Sequence, residues 1–146
     1  VLLDYSETAF LLAEAVERGF SVPGTAASHY ENGVTASILY WGGTSTDATN
    51  YLAQTAVAYA TASGNYKQKI GEQKYLALYN RGFDAWVDWR RLDYPVLTPA
   101  VNATSVIPLR FNYPVKEQQV NGANRSQASA AIGGDLVDTK LFWDKF

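Results

Sequence analysis

Prolines divide this chain before any other signal is read. Of the five, Pro23 stands alone, and Pro95, Pro99, Pro108 and Pro114 all fall between residues 93 and 115. Proline lacks a backbone donor and its ring clashes with the preceding helical turn, so no long helix can cross that stretch. Residues 1–92 are therefore the part open to long helices, and residues 93–146 are expected to hold a Pro-rich irregular segment, short helices and a tail. Val106 to Tyr113, with proline on either side, reads as an extended loop rather than a strand.

The first part carries helical periodicity. Tyr5, Ala9, Leu12, Ala13 and Val16 recur at i, i+4, i+7, i+8 and i+11, one apolar face, and Gly19 is a natural stop. Ser21-Val22-Pro23-Gly24-Thr25 makes a turn, and Ala27, Tyr30, Val34, Ile38 and Trp41 then mark a second helix that ends at Gly42-Gly43. Two such helices form an antiparallel hairpin. Ala26-x3-Tyr30-x2-Gly33 fits the second helix of a tetratricopeptide unit, where small residues let paired helices approach. Asp47 is expected to cap a short helix through Ala58. A third long helix is expected from about Tyr66 to Asn80, with a break at Arg81-Gly82 before a segment from Phe83 to Leu92. Lys116 to Val120 and Ser126 to Ile132 read as short helices. Leu141-Phe142-Trp143, with Phe146, are expected to pack the tail down. The fold class predicted is mainly α: tetratricopeptide-like helical hairpins, then the Pro-rich segment and short C-terminal helices, in one domain over 1–146.

Composition narrows the chemistry. At 146 residues, 47% hydrophobic and 18% charged, the chain suits one folded domain. A net charge of −2 gives no overall pull toward nucleic acid. Cysteine is absent, which removes disulfides, thiolate catalysis and Cys-ligated zinc. No apolar run reaches the roughly 20 residues a membrane-spanning helix needs. Methionine is absent too, so the chain is expected to be a piece of a longer protein whose targeting signal lies outside it.

Catalytic constellations are thin. His29, the single histidine, lies between Ser28 and Tyr30 with no serine elbow and no second histidine ligand, and reads as a hydrogen-bonded helix residue. Asp84 and Asp88 stand i, i+4 on one helix, the spacing at which two carboxylates face each other. Arg90 and Arg91 follow directly, and Asp84 suits the helix dipole, so ion pairing is the simpler reading. No phosphate-binding glycine loop occurs, and no metal or cofactor is implied. The sequons at Asn102 and Asn124 are no more than chance supplies. What stands out is ten Tyr, six Phe and four Trp. Tyr and Trp join a flat apolar face to a polar edge, which suits sugar rings and protein interfaces. Tyr40, Trp41 and Tyr51, beside the Gly-rich loop, are the candidate ligand-binding residues.

Several segments together carry a resemblance. Tyr5-Ser6-Glu7 with Phe10 to Ala15 and Arg18-Gly19, Tyr30 to Val34, Lys69 to Ala77, Ala85 to Leu97, Ile107 to Pro114 with Glu117 and Asn121, and Thr139 to Asp144 occur in an order that resembles the C-terminal region of the SusD/RagB family. These are surface nutrient-binding lipoproteins of Gram-negative outer membranes. The resemblance implies tetratricopeptide-like hairpins, no catalysis and no cofactor. It further implies a glycan (oligosaccharide or polysaccharide) as ligand, a SusC-like TonB-dependent transporter as partner, and attachment through a lipidated N-terminal Cys that this chain does not contain. Arg90, Arg91 and Arg110 within these segments are read as scaffold, planar forks able to tie the Pro-rich loop to the helices. Against this surface glycan binder stand a helical protein-interaction module and, more remotely, a hydrolase using Asp84 and Asp88.

Overall fold

The computed structural model describes residues 3–144, and among them the chain is helical without strands. It divides into two units, Val1–Val96 and Leu97–Phe146.

In the first unit, α1 (Tyr5–Glu17) begins where the Asp4 side chain accepts the Glu7 amide at 2.8 Å. A reciprocal box between Thr25 and Ser28 opens α2 (Ala26–Tyr40). The two helices pack on each other as the expected hairpin. Gly33 sets their distance: a Cβ there would lie 3.0 Å from the Phe10 ring. Ser6 Oγ donates to the Gly33 carbonyl at 2.7 Å across the same approach. The buried positions of α2 include Ala26, Tyr30 and Gly33, the small-aromatic-small set of the tetratricopeptide pattern.

The buried face of α1 is rotated from the one its periodicity predicts. Ser6, Ala9, Phe10, Ala13 and Glu14 go inward, while Tyr5 is exposed. Ser6 is buried because the Gly33 carbonyl needs it, and Glu14 because it has a cationic partner, and a count of apolar residues registers neither. Trp41, placed on the core face of α2 by spacing, caps its C-terminus and stays half exposed.

Asp47 does not itself cap α3 (Ser45–Leu52). Thr44 is the N-cap, and Asp47 closes the box from the third position, accepting the Thr44 amide at 2.8 Å and its hydroxyl at 2.6 Å. The helix ends at Leu52, well short of Ala58, and residues 53–64 form turns. Carbonyls there serve other side chains: Tyr30 Oη donates to Val57 O at 2.7 Å, and Lys69 Nζ to Tyr59 O at 2.8 Å. Next, α4 (Tyr66–Ala77) stops three residues before Asn80, because the chain turns to bury Leu78 completely. The break precedes α5 (Gly82–Leu92). Phe10, Ala13, Tyr30, Val34, Ile70, Ala77 and Leu92 form the core, with Tyr51, Tyr59 and Tyr66 packed against it.

The second unit holds α6 (Val115–Val120), entered through Pro114, and α7 (Gly122–Ala131), which starts four residues before Ser126. Residues 106–113 are irregular, as the flanking prolines require. Asp135 organises this unit. It forms an ion pair with Arg110 at 3.1 Å and accepts from Arg125 at 2.6 Å and the Tyr113 amide at 3.1 Å. The Arg110 guanidinium also lies 4.9 Å from the Tyr113 ring centroid. The tail does not bury its aromatics as expected. The Leu141–Asp144 turn and the Lys140–Asp144 ion pair leave Phe142 83% exposed, and Phe146 lies outside the described residues.

Candidate functional site

The charged residues of the first unit are occupied with one another. Arg81 bridges Asp4 (3.4 Å), Glu7 (2.6 Å) and Asp84 (2.8 Å). Burial alone would lower the Arg81 pKa, but the hydrogen bonds it donates to Glu7 and Asp84 outweigh it and raise it. Lys74 Nζ meets Asp88 at 2.7 Å, and Arg91 joins Asp88 (2.7 Å) to Glu14. Asp84 and Asp88 thus belong to two separate ion networks: Asp84 shares Arg81 with Asp4 and Glu7, and Asp88 pairs with both Lys74 and Arg91. His29 Nε2 lies 2.8 Å from the Pro23 carbonyl. The Tyr30 hydroxyl is pushed well above the ordinary tyrosine value, by burial first and then by Tyr51, Glu72 and Glu31, so it stays a protonated donor. Among the described residues no cluster of His, Cys, Asp or Glu could hold a metal ion, and no helix is long and apolar enough to cross a membrane.

Arg91 does not tie the Pro-rich loop, because Glu14 and Asp88 take its guanidinium. Trp89 does so instead, donating from Nε1 to the Pro95 carbonyl at 2.9 Å. Arg90 lies 3.7 Å over the Trp86 ring. Arg110 pairs with Asp135 inside the second unit.

The aromatic candidates occupy a different place. Gly42, at φ +88°, stops α2 just beyond Trp41. The chain then folds so tightly over Ile38 that a Cβ on Gly43 would lie 2.6 Å from Ile38 Cγ2. This turn carries the chain into α3 and opens a cavity of about 350 Å³ lined from α2, α3, α4 and the loop, notably by Ile38, Trp41, Tyr51, Gln73 and Leu76. That volume lies in the range of small-ligand sites, roughly 300–1,000 Å³. Trp41 is 49% exposed and is held nearly perpendicular to two other rings, Tyr40 at 5.3 Å and Tyr79 at 6.0 Å. Tyr51 Oη donates to Gln73 Oε1 at 3.2 Å.

Trp41 and Tyr51 therefore line one cavity, and Tyr40 supports it from the rim without lining it. Sequence reasoning missed Gln73, Leu76 and Tyr79. Gln73 sits in the polar run Glu72-Gln73-Lys74, where nothing in the residue types marks it. Tyr79 falls inside the helix expected to reach Asn80, at helical spacing from Leu76 and Phe83, and only the end of α4 at Ala77 sets it apart. The lining contains no charged side chain. It offers aromatic and aliphatic faces, a carboxamide and a serine hydroxyl, which suits binding a neutral amphipathic molecule and provides no acid, base or nucleophile pair.

Solved structures resemble this chain along its whole length. A SusD-like protein from Bacteroidetes is 29% identical with a TM-score of 0.86 over 100% of this chain and 30% of its own. A chitin-binding protein is 34% identical, TM-score 0.79, over 98% of this chain and 33% of its own. A chitin-binding SusD homologue from Flavobacterium johnsoniae is 28% identical, TM-score 0.77, over 95% and 35%. The chain thus spans about a third of the length of these structures. Among curated proteins nothing matches. Residues 1–114 match the model of the SusD-like family described as starch-binding and associating with the outer membrane, and the chain belongs to that family.

Proposed function

We propose that this chain is the C-terminal portion of a non-enzymatic glycan-binding protein of the outer-membrane surface, and that both of its units belong to that portion. On this reading the parent is lipid-anchored and hands oligosaccharides to a SusC-like TonB-dependent transporter. The observation that carries the glycan reading is the uncharged cavity walled by Trp41 and Tyr51 and braced by Tyr40. Aromatic faces beside an amide edge suit the mixed apolar and hydroxylated surface of a sugar. Two of the similar structures are described as chitin-binding, which supports a neutral glycan as the ligand class.

Calorimetric titration of the protein with a panel of neutral oligosaccharides tests the binding step. Saturable heat from at least one member, lost on Trp41→Ala, is expected, and no heat from any member overturns it. Isolation of the intact lipidated product from solubilised outer membranes together with a TonB-dependent transporter tests the handoff, and its recovery alone counts against it. A second reading, a protein-interaction module without a sugar ligand, is favoured by Tyr79, 82% exposed at the cavity rim beside the exposed Leu76. It predicts binding to a protein partner with no response to any sugar.

A further inference from the structure

Resting on the glycan reading of this cavity, we propose that it selects an N-acetylated amino sugar over an unsubstituted hexose. The lining of the cavity matches such a ligand group by group. A plain hexose presents hydroxyls around most of its ring, and each one taken out of water needs a partner. Only four side chains of this cavity carry a polar group, those of Ser37, Trp41, Tyr51 and Gln73; Trp41 offers a single indole N–H, and Tyr51 and Gln73 already share a hydrogen bond. The remaining lining, from Val34, Ile38, Gly43 and Leu76, is apolar surface or bare backbone.

An acetamido substituent suits that inventory. Its methyl group takes no hydrogen bond and belongs against aliphatic surface of the kind Val34, Ile38 and Leu76 supply. Its carbonyl needs one donor. Tyr51 holds Gln73 by Oε1, and among the described residues no protein acceptor meets Gln73 Nε2, so that N–H is the donor on hand. The acetamido N–H needs one acceptor, which Ser37 Oγ can provide. A pyranose face then has Trp41, fixed by Tyr40 and Tyr79, to stack on. The absence of a charged lining residue works against the two common charged alternatives. A free amino sugar brings an ammonium and a uronic acid brings a carboxylate, and either one, desolvated here, has no counter-charge.

Three β-1,4 trimers that share a backbone test this: N-acetylated chitotriose, its fully deacetylated form, and cellotriose. Each is titrated calorimetrically into the whole chain, its Trp41→Ala and Gln73→Leu variants, and Ser37→Ala as a milder change, with circular dichroism confirming that each variant is folded. Chitotriose is expected to bind at least about tenfold more tightly than either of the others. Trp41→Ala should weaken it by a similar factor, and Gln73→Leu or Ser37→Ala should narrow its lead over cellotriose. Cellotriose binding as tightly as chitotriose, with both lost on Trp41→Ala, overturns the acetamido preference and leaves the glycan reading standing. Chitotriose binding that none of the variants alters overturns the assignment to this cavity. Absence of binding by all three trimers overturns the preference, and if the wider neutral panel is silent as well the glycan reading falls with it.

Discussion

Lys74 and Asp88 form an ion pair whose two halves are not equally replaceable. Lys74 is 1% exposed, and Asp88 at 2.7 Å is its only carboxylate partner among the described residues. Asp88 has a second cation, Arg91, also at 2.7 Å, and Arg91 in turn keeps Glu14. Asp88→Asn therefore leaves a buried ammonium without a counter-charge, a change that costs about 3–5 kcal/mol. Lys74→Met keeps an apolar stem of similar length in the same space and leaves Asp88 paired, so its expected cost is about 1 kcal/mol or less, since exchanging a buried charge for a packed apolar group is often near neutral. The double variant should regain most of what Asp88→Asn loses, because the uncompensated ammonium is then gone. Urea unfolding followed by circular dichroism at 222 nm reads all three. With a slope of about 2 kcal/mol per molar urea, Asp88→Asn should lower the midpoint by about 1.5–2.5 M and Lys74→Met by much less. If Lys74→Met proves as damaging as Asp88→Asn, or if the double variant is worse than either single change, the asymmetry argument is refuted.

Gly33→Ala sets a helix-propensity gain of about 1 kcal/mol against about 1–3 kcal/mol of overpacking where a Cβ would meet the buried Phe10 ring. A net loss in thermal stability is expected, partly restored by adding Phe10→Leu, and a rise in melting temperature would contradict the close-approach reading. Tyr30→Phe removes the donor that holds the Val57 carbonyl and should cost about 1–3 kcal/mol in urea unfolding. In the second unit, burial would raise the Asp135 carboxyl, but the Tyr113 amide, Arg125 and Arg110 together hold it below the usual range. The folded form thus binds this proton less tightly than the unfolded one. The resulting stability is complete above about pH 4 and lost as the pH falls through the lower folded value. Hydrogen-exchange protection of the Tyr113 amide, corrected for intrinsic rate, should show that acid loss, and Asp135→Asn should flatten it.

The parts of the fold legible in the sequence are those governed by one chemical rule at short range. The α1–α2 hairpin follows from apolar spacing and from Ala26, Tyr30 and Gly33, and the end of long helices follows from the prolines after residue 93. What stayed hidden involves partners far apart. The inward turn of Ser6 and Glu14 depends on Gly33 and Arg91, and the early end of α3 depends on Tyr30 and Lys69 reaching for Val57 and Tyr59. The start of α3 is legible from Asp47, although the N-cap is Thr44 and Asp47 closes the box from the third position. At the cavity, the exposed end of α2 beside two glycines marked Tyr40 and Trp41, whereas Gln73 and Leu76 are placed there only by the packing of α4 against α2.

The two arginine bridges between α1 and α5 also bear on the order in which the first unit assembles. Arg81 to Asp4 and Arg91 to Glu14 each join residues 77 apart in the chain, whereas the Ser6–Gly33 bond joins residues only 27 apart. The entropy of closing a loop grows with its length, and long-range closures tend to come late. The hairpin can therefore form while most of the chain is still arriving, and α5 acts as the latch that engages last. Unfolding would run in reverse, releasing α5 from α1 while the Phe10–Gly33 seam is still closed.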